Sequence, residues 1–278
     1  MEKNKYKVRV IAFYLPQFHP TPENDKWWGK GFTEWTNVGK AKPLFKGHYQ
    51  PKVSADLGYY DLRVPETRRE QAELARQYGI EGFCYWHYWF GNGRQLLQRP
   101  FQEVLASGEP DFPFCLAWAN HSWEDKQFNK EGGNKMLMEQ LYPGDEDYIA
   151  HFNAVLPAFK DPRYIRVNGE PLFMIYAPMK VPDIAHFIEL WQKLAEPHGF
   201  RIHFVGHTSK TEELPLFRQW GFNATNLVRL FDVFQKNYSL LGRIKTKFQR
   251  ITFHPGHRLD YESADRSFAG PEEQTPDC

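Results

Sequence analysis

The chain has 278 residues, a formal net charge of +1, 41% apolar and 25% charged side chains. That balance belongs to a globular protein with a large core and gives no general attraction to polyanions, so nucleic acid is not expected as a partner. The longest apolar runs are far too short to span a bilayer, and the start, "MEKNKYKVRVIAFYLPQF", has no small-residue cleavage site.

Within that start, "VRVIAFYLPQF" reads as a first strand. The stretch from Trp27 to Pro51 follows, with three Trp, Glu34 and no helical or strand period. It reads as a loop. "PETRREQAELARQYG" is an amphipathic helix, with Pro65 near its start and Gly79 just past its end. "EGFCYWHYWF" is a second strand and "QLLQRPFQEVLAS" a helix. "DFPFCLAWAN" is a third strand, followed by the helix "DYIAHFNAVLPAFK". "EPLFMIYAP", "FRIHFVGHT" and the weaker "GFNATN" are three more strands, separated by the helices "DIAHFIELWQKLAEPHG" and "EELPLFRQW".

Such alternation implies βαβ units and a parallel sheet. No G-x-G-x-x-G follows the first strand and no phosphate-binding loop occurs, so no cofactor is expected. Polar and aromatic residues fall just after the strands, where a barrel builds its site. An α/β fold of the (β/α)8 TIM-barrel type is therefore expected, with about six of the eight units. Residues 1–226 make up the barrel portion, 227–262 a basic helical or irregular segment of the same domain, and 263–278 a polar tail. An open barrel exposes unpaired strand edges, so a partner chain or oligomer covering them is expected. Cys84, Cys115 and Cys278 suit neither a disulfide framework nor a metal site, which fits a reducing, cytoplasmic setting. No metal site is expected.

Aromatic residues reach 17%, and seven of the nine Trp lie between Trp27 and Trp123. Clustered beside Asn, His and Glu, they suggest a recognition surface. Apolar faces of sugar rings stack on aromatic rings, while ring edges offer hydroxyls to polar groups. The candidate binding residues are Tyr14, Trp28, Trp35, His87, Trp89, Trp118, Asn120, His121, Trp123, Tyr176 and His207. In the second strand, Tyr85, His87 and Trp89 share one face, and Trp86, Tyr88 and Phe90 the other; one set should line the site and the other pack under helices. Glu34, ringed by Trp28, Phe32 and Trp35, has the setting of a proton donor or of an acceptor for sugar hydroxyls. The acids of "GDEDY" could hold a divalent ion but fit better as a helix start, with Asp145 as its cap.

The segments "FYLPQFHPTPENDKWWGKGFTEWTNVGKAKPLFKGHYQP", "DLGYYDLRVPETRREQAELARQYGIEGFCYWHYWF", "RPFQEVLASGEPDFPFCLAWAN" and "DPRYIRVNGEPLFMIY" together resemble the WbsX-like proteins, which carry glycoside-hydrolase-family-99-like domains. The resemblance runs to about Tyr261. It implies a (β/α)8 barrel acting on polysaccharide or oligosaccharide in lipopolysaccharide or capsule biosynthesis. Family 99 enzymes are retaining endo-α-mannosidases, in which one carboxylate assists attack by the substrate's own 2-hydroxyl and another serves as acid and then base. Both lie in a late N-E-W-x-E-G motif. This sequence contains no such motif, and it has His121 where many relatives have Glu after W-A-N. Glycoside chemistry takes two carboxylates at a set separation. Glu34, Glu124, Asp125 and Glu139 are the candidates near strand ends, and Glu34 with Glu139 is the pair to test. Three functions follow: a glycosidase-like protein acting on or binding α-linked, mannose-containing glycans; a nucleotide-sugar-dependent glycosyltransferase; and a non-catalytic or truncated sugar-binding form.

Overall fold

The structure is a computed structural model and describes residues 8–43, 47–125 and 135–229; most of the basic segment and all of the polar tail lie outside the described residues. Six strands pair in chain order and always in parallel: β1 (Ile11–Tyr14), β2 (Gly82–Trp89), β3 (Phe114–Trp118), β4 (Glu170–Ile175), β5 (His203–Thr208) and β6 (Ala224–Leu227). A doubly wound sheet would reverse its strand order at a switch point. An unreversed order is how a barrel winds, and the sheet forms about half of one.

Among the described residues seven α-helices accompany the strands: α1 (Pro22–Trp28), α2 (Glu34–Lys40), α3 (Pro65–Gln77), α4 (Arg99–Ser107), α5 (Asp145–Lys160), α6 (Ile184–Ala195) and α7 (Leu214–Gln219). Five of them match the sequence expectation. α2 does not, since the stretch Trp27–Pro51 reads as a loop, and α1, which ends in that stretch, is not expected either. Each is only seven residues long, too short for a period to show. Their caps are the legible signal: Thr21 accepts from the Asn24 amide with Pro22 next in line, and the Thr33 amide donates to Thr36 Oγ1. α4 starts later than expected, because Gln95–Leu96 pairs back on the end of β2 and Leu97 turns at φ 57°. Gly144, not Asp145, caps α5, where its φ of 105° is open to glycine. Trp123–Glu124 and Met136–Met138 form a small antiparallel hairpin.

Register sorts every strand residue onto one of two faces. Phe13 pairs with Cys84, Cys84 with Cys115, Ala117 with Met174, Met174 with Val205, and His207 with Asn226; this set faces the inside of the curve. Tyr14, Tyr85, Leu116, Phe173 and Phe204 alternate with them and face the helices. The helix side is the core. Trp118 stacks on Phe187 of α6, and Trp191 of α6 meets Phe173, Phe204 and Phe152, all at 0–1% exposure. Each such ring contributes about 2–3 kcal/mol by leaving water.

Close layer contact leaves no room at two strand glycines. A Cβ on Gly206 would lie 2.5 Å from the Phe217 ring, and one on Gly82 would lie 2.4 Å from the Pro113 carbonyl oxygen. A ring can shift, whereas the Pro113 backbone is held by the Phe83 amide, which donates to its oxygen at 2.9 Å. Gly82→Ala is expected to lower unfolding free energy by about 1–3 kcal/mol. Gly39→Ala in α2, with open space around its Cβ, should be neutral or stabilising. Urea unfolding of both variants checks this; a Gly82→Ala protein as stable as the parent would contradict the β2 placement.

Candidate functional site

At the strand ends the inner face carries a strip of rings. Phe13 stacks on Trp86 with centroids 4.9 Å apart and planes 8° from parallel. Trp86 meets Tyr176 edge-on at 5.5 Å, Tyr176 meets His207 at 4.8 Å, and His121 meets Tyr176 at 5.2 Å. Phe13 is 49% exposed and Tyr176 37%, in contrast to the buried helix side. His207 and Asn226 touch through Nδ1 and Nδ2 at 2.9 Å. Deeper inside lie Cys84 and Cys115; their mutual hydrogen bond and burial push the Cys84 thiol well above its usual range, so it is not an activated nucleophile.

Sequence reasoning reached His121, Tyr176 and His207 of this strip but not Phe13, Trp86 or Asn226. Alternation along β2 was the available signal for Trp86: of the two sets it defines, Trp86 and Tyr88 face inward, and Tyr85, His87 and Trp89 pack under helices. Five of the expected binding residues lie away from this strip. Tyr14 lies under α3, its hydroxyl donating to Gln71 Oε1 at 2.6 Å. His87 and Trp89 pack on His151 of α5, Trp89 also donating from Nε1 to Asp147 at 3.0 Å. Trp118 donates to the Trp89 carbonyl at 2.9 Å inside the core. Asn120 is fully buried and fully engaged: Nδ2 donates to the Ala177 carbonyl and to Tyr142 Oη, and Oδ1 accepts from the Ala177 amide. Its role is to clamp the loop that carries Tyr176.

The Trp-rich stretch folds over the same end. Trp35 donates to the Tyr60 carbonyl at 2.8 Å and packs between Phe18, Tyr59 and Tyr60. Trp27 meets Trp123 edge-on, and Trp123 in turn meets Tyr88 and Phe90. Trp35 and Trp123 are thus fasteners; Trp28, half-buried, leans on Phe32. Glu34 opens α2 and accepts from Asn37 Nδ2 at 3.3 Å. It is near enough to Tyr88 to act on it: burial first, and then the charge of Glu34, push the Tyr88 phenol up to about 12, while Gln17 donates to it at 3.3 Å. Glu139 is exposed just past the hairpin, and no hydrogen bond or ion pair joins it to Glu34 among the described residues. Asp125 is spent inside the hairpin, accepting from the Lys135 amide at 2.6 Å. Asp145 and Asp147 lie in the acidic first turn of α5, where Asp145 also pairs with His186, and Asp147 with Trp89 and the Gly93 amide. No three His, Cys, Asp or Glu side chains converge as a metal site among the described residues. Among them, too, no helix is long and apolar enough to cross a membrane.

A family model described as Glycosyltransferase WbsX matches residues 10–276. The chain belongs to the WbsX family. Two strains of Xanthomonas campestris pv. campestris carry a relative, "Uncharacterized protein WxcX", 42% identical over 217 residues. That match takes in 77% of this WbsX chain and 30% of the relative, so the chain spans less than a third of the length of the curated relatives it matches. A GH99 endo-alpha-mannosidase from Bacteroides thetaiotaomicron superposes with a TM-score of 0.50 at 16% identity, over 79% of this chain and 58% of that one. At that identity the likeness shows the fold: a WbsX chain built as part of a barrel.

The helix side of the fold has a pH signature. His87 and His151 are buried with their Nε2 atoms 2.9 Å apart, a contact that needs one N–H and one lone pair and so allows at most one charged ring; burial disfavours charge on either. Burial pushes His87 down to about 4 and His151 well below its usual range, helped by His87. Each folded value lies under the unfolded one, so the folded chain binds fewer protons and stability falls as pH drops from about 6.5 towards 4. His87 alone should cost about 3 kcal/mol between pH 7 and pH 4, and His151 adds to the loss in the same direction. Urea titrations at both pH values are expected to show this loss, and the His87→Leu/His151→Leu double variant should lose less. Equal pH slopes would refute the buried pair.

Proposed function

We propose that this chain is the glycan-binding part of a carbohydrate-active protein of surface-polysaccharide metabolism. In this reading an α-linked, mannose-containing glycan lies across the inner strand ends. The observation that carries it is the strip Phe13–Trp86–Tyr176, partly exposed ring faces beside the polar groups of His121, His207 and Asn226. Flat apolar faces with a few converging polar groups are what a pyranose ring needs. Membership in the WbsX family and the fold shared with an endo-alpha-mannosidase support the same reading.

Glu34 is the carboxylate proposed to grip or protonate the glycan, since it opens α2 in the Trp-rich stretch that folds over this end and its charge raises the inward-facing Tyr88 phenol. Glu139 is its proposed partner from the hairpin. The family's description favours a second reading, transfer of a sugar from a nucleotide donor. Against its expected metal-binding acids stands the place of Asp145 and Asp147 in the first turn of α5 and their engagement by His186 and Trp89. A binding-only protein would hold the same glycan without product.

Calorimetry with α-linked manno-oligosaccharides, and product analysis in parallel, separate these readings. Trp86→Ala is expected to weaken binding about tenfold or more, the equivalent of at least ~1.4 kcal/mol. Glu34→Gln should abolish turnover or weaken binding by a similar factor. Unchanged affinity and rate in Glu34→Gln would remove Glu34 from the site, and unchanged affinity in Trp86→Ala would move the glycan elsewhere. Binding of a nucleotide sugar with Mn²⁺ but of no glycan would replace the first reading by the second.

A further inference from the structure

We infer that Asn226 is a positioning residue: it holds His207 as the neutral tautomer protonated on Nε2, so that the ring offers a hydrogen-bond donor to the inner strand ends. This rests on the glycan-binding reading for its purpose but not for its geometry.

The two residues are register partners on β5 and β6, and Asn226 Nδ2 stands 2.9 Å from His207 Nδ1. An amide can be turned half-way round, exchanging its N and O, so that contact alone leaves the tautomer open. Met174 closes it. Its Sδ lies 3.7 Å from the same Asn226 atom. A thioether accepts weakly and never donates. An oxygen in that position would face the sulfur with no proton between them, whereas the NH₂ group serves both neighbours, one hydrogen to each. Asn226 therefore donates to Nδ1, the Nδ1 lone pair is consumed, and the proton of the neutral ring sits on Nε2.

The other groups against this ring reinforce neutrality. From β4 it meets Tyr176 at 4.8 Å and from β2 the edge of Trp86 at 6.5 Å, and burial lowers its proton affinity. Tyr176 is the one titratable neighbour among these contacts; no carboxylate or cation is among the described contacts of the His207 ring. His207 is half-buried, and Nε2 has no hydrogen-bond partner among the described residues. The consequence is a division of labour. With Nδ1 occupied and Nε2 protonated, His207 cannot act as a base. It can donate to an acceptor oxygen, a hydroxyl or a glycosidic oxygen of a sugar whose apolar face rests on Trp86 or Tyr176.

The test is a long-range ¹H–¹⁵N correlation spectrum of the ¹⁵N-histidine-labelled full chain near pH 7. His207 is assigned by the signal lost in His207→Gln. The expected pattern is an unprotonated, pyridine-type Nδ1 and a protonated Nε2. In Asn226→Asp the carboxylate can only accept, so the pattern should reverse, with the proton on Nδ1 and a titration midpoint raised by about one pH unit or more. A protonated Nδ1 in the unsubstituted protein overturns the inference without needing any variant to fold. So does an unreversed pattern in a folded Asn226→Asp. Manno-oligosaccharide affinity, measured alongside, should fall about tenfold in Asn226→Asp. If the tautomers behave as stated while no glycan binds the unsubstituted chain, the positioning role stands and the glycan reading fails.

Discussion

Between Cys84 and Trp89 the pleat of β2 decides which ring meets the inner face of the sheet and which meets a helix. A one-residue shift in that strand would exchange every assignment, because alternate residues face opposite ways. The register is held from both flanks, by β1 at Cys84 and Tyr85 and by β3 from Phe83 to His87. The outward set then fills the helix side so tightly that the strand cannot slip. His87 needs His151, Trp89 needs Asp147, and Tyr85 sits among Phe101, Phe114 and Tyr14. Trp86 is left facing inward with Phe13 flat against it.

The second constraint is the lid of short helices after β1. A polar stretch with three Trp would expose costly surface as a free loop. Instead Trp27 and Trp35 spend their rings on two separate anchor points, Trp123 on the hairpin and the Phe18–Tyr60 pair. That fastening holds the start of α2, which Glu34 opens. The aromatic richness therefore has two causes, holding the mouth together and lining it. The same Trp does not do both.

The parallel sheet, its six strands and five of the helices were legible in the sequence, because long apolar runs and helix caps such as Pro65 and Gly79 act locally. The candidate site was only half legible. His121, Tyr176 and His207 end strands and point inward. Tyr14, His87, Trp89 and Trp118 are just as aromatic and just as close to strand ends, but parity turns them towards helices. No local property of "YWHYWF" tells which of its two faces looks inward; that is fixed by pairing with β1 and β3, residues far away in sequence. The clamping contacts of Asn120 are not legible locally, since its partners Ala177 and Tyr142 lie 57 and 22 residues away. Asn226 is not legible locally, because its meaning comes from Met174 and His207 together.

Orientation of the Trp rings can be read directly in solution through their indole N–H signals. Those of Trp89, Trp118 and Trp191 are bonded inside the core, to Asp147, the Trp89 carbonyl and the Tyr148 carbonyl. Titrating an α-linked manno-oligosaccharide into the ¹⁵N-labelled chain should shift the Trp86 indole signal and leave those three in place. Movement of the three core signals with Trp86 unmoved, or no movement at saturating glycan, would contradict binding across the inner face.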